Sequence, residues 1–246
     1  TIANEHYESE MSIDDLPPFL GLDGETVTRN RLSAGLDVSY PLVRRFESGA
    51  DLVIEPVAQL SMSSKADLDP RIPIEDSHTI ELDESSLFRM DRFPGYDLYE
   101  GGARFTAGAR ASLRWDDIRS ASLFIGRSWR DEELPGLRAV VPNPNPLDPI
   151  QLYDPSGLAA QTSDWVVQGE FSPSDRIRGW GHATIDGSGD VRRAEASVDG
   201  RWGRRNLASV SYIVDRSNPL ASSLNRNYEF VQLSAQQFVY GNWGVT

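Results

Sequence analysis

Cysteine is absent from the 246 residues. Disulfide staples, thiolate nucleophiles and cysteine-ligated metals are thereby excluded, and the redox compartment cannot be read from cysteine. Histidine is scarce: His6, His78 and His182 are the three present, and none stands at metal-ligand spacing from another. Positive charge is the minority, with 24 Lys+Arg against 37 Asp+Glu and a formal net charge of -13. With a pI of about 4.7, the basic footprint of a nucleic-acid binder is missing, and no nucleic-acid partner is expected. Long apolar runs are missing as well. Mean hydropathy is -0.42, and no window approaches the roughly 18–20 consecutive apolar residues of a spanning helix. The opening Thr1-Ile2-Ala3-Asn4 has neither the basic nor the apolar region of a secretory leader. Neither end reads as a natural terminus, so the chain is expected to be a fragment.

What is present is a period of two. From Arg31 to Tyr40 the even positions are Leu32, Ala34, Leu36, Val38 and Tyr40, and the odd ones are Arg31, Ser33, Gly35, Asp37 and Ser39. Successive side chains of a strand point to opposite faces, so this segment has one apolar and one polar face. Between Gly49 and Met62, Leu52, Ile54, Ala58 and Leu60 oppose Asp51, Glu55, Gln59 and Ser61, with Val53 and Val57 as exceptions. Pro56 is awkward there, because it removes a ladder donor in mid-strand. Ala103 to Trp115 repeats the pattern against Arg104, Thr106, Gly108, Arg110, Ser112 and Arg114. Further alternating segments follow around residues 121–125, 165–171, 177–185, 194–202 and 208–214. The segment Asn227 to Val239 is mixed, with Tyr228 and Phe230 on one parity and Val231, Leu233 and Ala235 on the other. A bulge there could switch faces. The tally is about nine strands and the start of a tenth at Asn242.

The connections alternate in length. Short links fall at Pro41–Ser48, Asp116–Arg119, Ser172–Asp175, Gly203–Arg205 and Gly241, and longer ones at Ser63–Gly102, Arg130–Ser163 and Asp215–Arg226. Short turns on one side and long loops on the other are the stringing of an outer-membrane barrel. Tyr40, Trp115, Phe171, Trp202 and Tyr240 fall at strand ends beside short links, with Trp129 toward the opposite end. Aromatics so placed form a girdle at a membrane interface. The polar face carries Arg104, Arg110, Arg114, Asp164, Glu170, Arg178 and Asp186, too many charges to bury dry. The expected fold is therefore all-β, an antiparallel transmembrane β-barrel segment with lipid outside and a wet interior. An amphipathic meander or sandwich with one solvated face, serving as a soluble binding module, stays open on pattern alone.

Catalytic chemistry finds little purchase. His182 falls on the polar face near Asp186, which admits an Asp/His water-activating site, but a plain lumen-facing residue explains it as well. Asp186-Gly187-Ser188-Gly189-Asp190 lacks the closing Glu of a calcium loop and reads as a hairpin turn. No nucleophile elbow and no phosphate-cradling glycine loop is present. Neither an enzyme nor a cofactor or metal site is expected.

Between the second and third strands runs Ile74-Glu75-Asp76-Ser77, then Glu81-Leu82-Asp83-Glu84-Ser85-Ser86-Leu87-Phe88, then Asp91-Arg92-Phe93-Pro94-Gly95-Tyr96-Asp97, and finally Glu100-Gly101-Gly102-Ala103-Arg104. This string resembles the LptD (OstA/Imp) family of lipopolysaccharide-assembly barrels in its alphaproteobacterial form. The preceding Leu36-Asp37-Val38-Ser39-Tyr40-Pro41-Leu42 and Glu55-Pro56-Val57-Ala58-Gln59-Leu60 are similar to strands of the same family. The resemblance covers roughly residues 31–130. It implies an outer-membrane protein of a Gram-negative bacterium that receives lipopolysaccharide from a periplasmic Lpt bridge through a jellyroll domain, with an LptE-like lipoprotein plugging the lumen. Residues 1–246 would be part of the C-terminal barrel domain, embedded in outer-membrane lipid, without the jellyroll. The family-motif residues are Leu87, Phe88, Arg92, Phe93, Pro94, Gly95, Tyr96, Asp97, Glu100, Gly101 and Arg104. Asp97, Glu100 and Arg104 could pair and pin the long loop to the lumen. Phe88, Phe93 and Tyr96 should pack within the loop or on the lumen rim. A generic outer-membrane channel or receptor fits the strands equally well.

An open sheet with one large apolar face and unpaired edges is an aggregation hazard in water. Refolded in buffer without detergent, the 246-residue chain is expected to aggregate. A monodisperse monomer melting cooperatively would sink the membrane reading.

Overall fold

Alternation over long stretches, broken by Gly-, Asp- and Pro-rich turns, leaves the backbone one economical solution: neighbouring strands joined in sequence. The computed structural model describes residues 2–10, 26–64, 82–93, 100–134, 137–141, 151–154, 156–203, 205–217, 228–240 and 243–245. The strands are β1 (Ile2–Glu10), β2 (Thr26–Ser39), β3 (Leu42–Arg45), β4 (Asp51–Ser63), β5 (Gly102–Arg114), β6 (Ser120–Arg130), β7 (Ala139–Val141), β8 (Gln151–Tyr153), β9 (Trp165–Ser174), β10 (Ile177–Ile185), β11 (Val191–Trp202), β12 (Asn206–Asp215), β13 (Tyr228–Tyr240) and β14 (Trp243–Val245), with a single helical turn, α1 (Glu84–Leu87). Twelve strands form one antiparallel sheet in the order β1-β2-β4-β5-β6-β9-β10-β11-β12-β13-β14, with β3 beside β4, and β7–β8 form a separate hairpin. The sheet is open among the described residues, since β1 and β14 do not pair. No described helix is long and apolar enough to cross a membrane, which leaves strand crossings untouched.

Several elements differ from expectation. β1 has no apolar stripe by which the sequence would show it; it pairs with the first nine residues of β2, from Ile2 opposite Ala34 to Glu10 opposite Thr26. The β7–β8 hairpin lies inside the long connection after β6. In β13 no bulge switches the faces next to β12, where the register runs unbroken from Asp215–Tyr228 to Leu207–Gln236. Val231 and Leu233 sit opposite Tyr212 and Val210, and Phe230 lies opposite Ile213 on the other face. The mixed pattern is thus two partly apolar faces. The register shift occurs instead against β14, between Phe238 and Tyr240.

Burial is the reverse of a water-soluble protein. On β2, β4 and β5 the apolar residues Leu36, Leu60 and Phe105 are 64%, 47% and 46% exposed, whereas Gln59, Arg104 and Thr106 are 3%, 4% and 0% exposed. Leu32, Val38, Leu123, Ile125, Val198 and Val210 continue the exposed apolar face across the sheet. A contiguous apolar surface of this extent is a membrane-facing surface. Tyr40, Trp115, Phe171 and Trp202 are all exposed beside short turns. Phe105 and Trp129 stack at 5.7 Å toward the long-loop end.

Pro56 sits where the ladder needs no donor from it. Its carbonyl accepts from Tyr40 N–H at 3.2 Å, and a strand residue aims its N–H and C=O at the same neighbour. The missing donor therefore points at the break between β2 and β3, where Tyr40 and Pro41 interrupt the pairing that resumes at Leu42 opposite Ile54. One irregularity absorbs both prolines, and the β5 side of the ladder stays whole through Pro56 opposite Ala109.

Leu36, Leu52, Leu60, Phe105 and Leu113 share the apolar face, and Asp37, Glu55, Arg104 and Arg110 the polar one. In membranes, single cysteines at Leu36, Leu60 and Phe105 should react with a lipid-phase quencher and one at Glu55 should not. An Arg at Leu60 should cost about 2–4 kcal/mol if it lies at the midplane. Quenching at Glu55 would reverse the assignment.

Candidate functional site: a loop held on the polar face

The described part of the connection from β4 to β5, residues 82–93 and 100–101, lies over the polar side of the sheet, and its residues are built for that side. Asp83 caps α1: its Oδ1 accepts from Ser86 N–H at 2.6 Å, while Ser86 Oγ accepts from Asp83 N–H at 2.9 Å. This reciprocal pair satisfies donors that a helical start leaves open. Burial pushes the Asp83 carboxyl up, but hydrogen bonds from Ser86 and Ser85 outweigh it and hold it below the usual carboxylate range. With the folded value depressed, the cap's stabilisation is present above about pH 4 and is lost as pH falls through the lower folded value.

The capped turn drops Leu87 onto the sheet, where it is fully buried with Leu82, Phe124, Leu158 and Val166, and with Val57 packed against the cluster. Phe88 meets Phe124 edge-to-face at 6.1 Å. Phe124, Val166 and Val57 belong to the polar face, so they are exceptions there for a reason: they form the floor under the loop. Gly126 makes the approach possible. A Cβ on it would lie 2.8 Å from the Phe124 ring and 2.9 Å from Leu87. Leu158 comes from the next long connection, so two loops meet over one floor.

Beside this apolar contact lies a buried charge cluster. Glu100 contacts Arg92 Nε at 2.9 Å and Arg130 Nη2 at 3.2 Å, and also pairs with Arg104 Nη1. All four side chains are enclosed. Arg92 Nη1 donates to Ser128 Oγ at 3.2 Å. Arg104 Nη2 donates to Gln59 Oε1 at 3.1 Å and to the Arg89 carbonyl. Gln59 Nε2 in turn donates to Asp37 Oδ1 at 2.6 Å and to the Phe88 carbonyl at 2.5 Å. Burial pushes the Arg92 guanidinium down to about 9, opposed by Asp91, so it is still charged at neutral pH. Arg110 adds a second tie, reaching Glu55 at 3.1 Å and, through Nε, Glu84 at 3.0 Å. Arg31 pairs with Asp91. Strands β2, β4, β5 and β6 thus all hold the loop.

Of the family-motif residues, Leu87, Phe88, Arg92, Phe93, Glu100, Gly101 and Arg104 converge on this region, with Phe93 buried. Pro94, Gly95, Tyr96 and Asp97 lie outside the described residues, and so does any pairing of Asp97. Gly102, next in the motif, has φ of +82°, and a Cβ there would lie 2.6 Å from the Asp131 carboxylate, which accepts from Ala103 N–H at 3.0 Å. Arg130 and Ser128 carry no expectation from the sequence and Gln59 only that of a polar-face residue; each sits on the polar parity of its strand. The wet interior expected for Arg104 is corrected at that position alone, where the loop covers the face and the charges are paired, while Glu170 and Arg178 of the same face remain largely exposed. His182 stacks on Trp180 at 6.2 Å, and Asp186 holds its hairpin, accepting from Ser188 N–H at 2.9 Å and Asp190 N–H at 3.0 Å. No metal-binding group of carboxylates and imidazoles occurs among the described residues.

A family model described as LPS transport system D matches residues 7–243. A search of the curated proteins finds no match.

Glu100→Gln leaves three buried guanidiniums around a neutral amide, and breaking such a buried pair costs about 3–5 kcal/mol. Arg178→Ala, which removes an exposed pair with Glu170, should cost less than about 1 kcal/mol. Urea midpoints of the full-length protein in detergent will compare them; equal effects would refute the cluster's structural weight.

Proposed function

The chain belongs to the LptD family, and on that premise we propose that it forms part of the wall of the barrel that assembles lipopolysaccharide at the outer-membrane surface. The family transports lipopolysaccharide in the Gram-negative outer membrane and is not an enzyme family. The observation that carries the proposal is the reversal of burial: an exposed apolar face, and a polar face whose Gln59, Arg104, Thr106 and Ser128 are enclosed beneath the β4–β5 loop. A wall for amphiphilic cargo needs this division, with lipid chains outside and polar groups satisfied inside.

In this reading residues 1–246 are part of a C-terminal barrel domain, and a periplasmic jellyroll elsewhere in the protein receives cargo from the Lpt bridge. An LptE-like lipoprotein fills the remaining lumen. Leu87, Phe88, Arg92, Phe93, Glu100, Gly101 and Arg104 hold the described part of the β4–β5 loop as an inner lining, and Pro94, Gly95, Tyr96 and Asp97 complete the motif in sequence. Their task is to keep the wall closed and shaped while cargo passes, not to touch the reacting bonds of any chemistry.

The test is complementation in cells depleted of the native full-length protein. Phe93→Ala should reduce the folded barrel, deliver less lipopolysaccharide to the surface and sensitise cells to large hydrophobic antibiotics. Wild-type protein that restores barrel insertion but not surface lipopolysaccharide, and instead shows solute-selective conductance, would identify a generic channel and defeat the proposal.

A further inference from the structure

The apolar face of β4, β5, β6, β9 and β10 carries one charged side chain. Pairing places Leu123, Ile125, Arg127 and Trp129 of β6 on that face, opposite Leu113-to-Phe105 residues of β5 and, in part, Val167 to Phe171 of β9. The face of β4 holds Leu52 to Met62 at alternate positions, and that of β10 holds Ile177, Gly179, Gly181, Ala183 and Ile185, all uncharged. A lone cation on a hydrocarbon-facing wall is expensive unless it is paired or reaches the interface.

Arg127 stands near the interface on the long-loop side. Three residues beyond it β6 ends at Arg130, and the long connection to β9 begins. Its guanidinium lies 4.7 Å from the Trp165 ring centroid and 5.9 Å from that of Trp129. Its Nε and Nη2 donate to the Ser163 carbonyl at 3.2 and 2.6 Å. A guanidinium has five N–H donors. One carbonyl engages two of them, and no described residue accepts from Nη1. The backbone contact fixes one edge, the two rings lie beside the group, and the Nη1 end is left over on a side chain that stays partly exposed.

The geometry points to a lipid-phosphate site on the outer wall, formed by Arg127 between Trp129 and Trp165. A phosphate takes two parallel N–H bonds from one guanidinium edge, and indoles settle at headgroup depth. With short turns on the periplasmic side, this interface is the external one. The ligand committed to is therefore the phosphorylated headgroup of an outer-leaflet glycolipid, held laterally and apart from any cargo inside the lumen. The inference rests on the barrel reading above and not on transport. Defective surface delivery with this contact intact would count against the function alone.

The test uses the full-length protein in phosphatidylcholine nanodiscs doped with bisphosphorylated lipid A or with the same lipid stripped of phosphate. Lipid A retained after mild detergent extraction is counted by native mass spectrometry. Wild type should retain the phosphorylated form roughly tenfold better, and Arg127→Gln, still heat-modifiable on gels, should bring the two close to parity. No preference in wild type, or the same preference in Arg127→Gln, overturns the proposal. If Arg127→Gln fails to fold, Trp165→Leu keeps the cation and removes one shielding ring. Its preference must then fall several-fold, and an unchanged one overturns the proposal equally.

Discussion

A single enclosed carboxylate, Glu100, faces the guanidiniums of Arg92, Arg104 and Arg130, and the inner architecture hangs on that contact. Arg92 and Glu100 come from the loop, Arg104 from β5 and Arg130 from the end of β6, so one anion joins the loop to two strands. Gln59 extends the network to β4 and, through Asp37, to β2. The arrangement follows from what lies on the other side of the sheet. A strand has only two faces. Once Leu36, Leu60 and Phe105 are turned to lipid, every polar group between them must find its partner inward, where removal from water makes an unpaired charge costly.

Much of this was legible in the chain, and the reason is mechanical. Period-two alternation at Leu32 to Tyr40 and Ala103 to Trp115 reports face and strand together, so the sheet and its sidedness follow from single residues. The exceptions carried the rest. Val57 interrupts the polar parity of β4, and Phe124 does so on β6, because both lie beneath Leu87; an isolated apolar residue on a polar face marks a place where something will sit. Gly126 belongs to the same signal, since only a missing Cβ admits the Phe124 ring and Leu87 together. No one-dimensional pattern shows that these positions are adjacent, because adjacency comes from register, which strand pairing alone supplies.

What escaped did so for related reasons. β1 is polar on both parities and is recognised only by its partner. β13 looked like a bulge because Phe230 and Val231 are apolar on opposite faces, and a period count cannot separate two half-apolar faces from a slipped one. Gln59 and Arg130 looked like ordinary lumen residues, because a side chain bound for a buried network and one bound for water obey the same parity.

That last ambiguity extends to every arginine of the wall, and environment alone resolves it. Arg178 meets Glu170 where both are largely exposed, so water and salt screen the pair and it adds little. Arg110 is half-covered and bridges Glu55 to Glu84, so it ties sheet to loop at moderate gain. Arg104 is enclosed, and its value lies in the penalty that losing Glu100 would expose. Arg127 lies on the opposite face, where neither water nor a carboxylate waits and two indole rings and one carbonyl must serve. Four identical side chains therefore do four different jobs across one sheet only about 10 Å thick with its side chains, and depth, more than sequence, sets which job each performs.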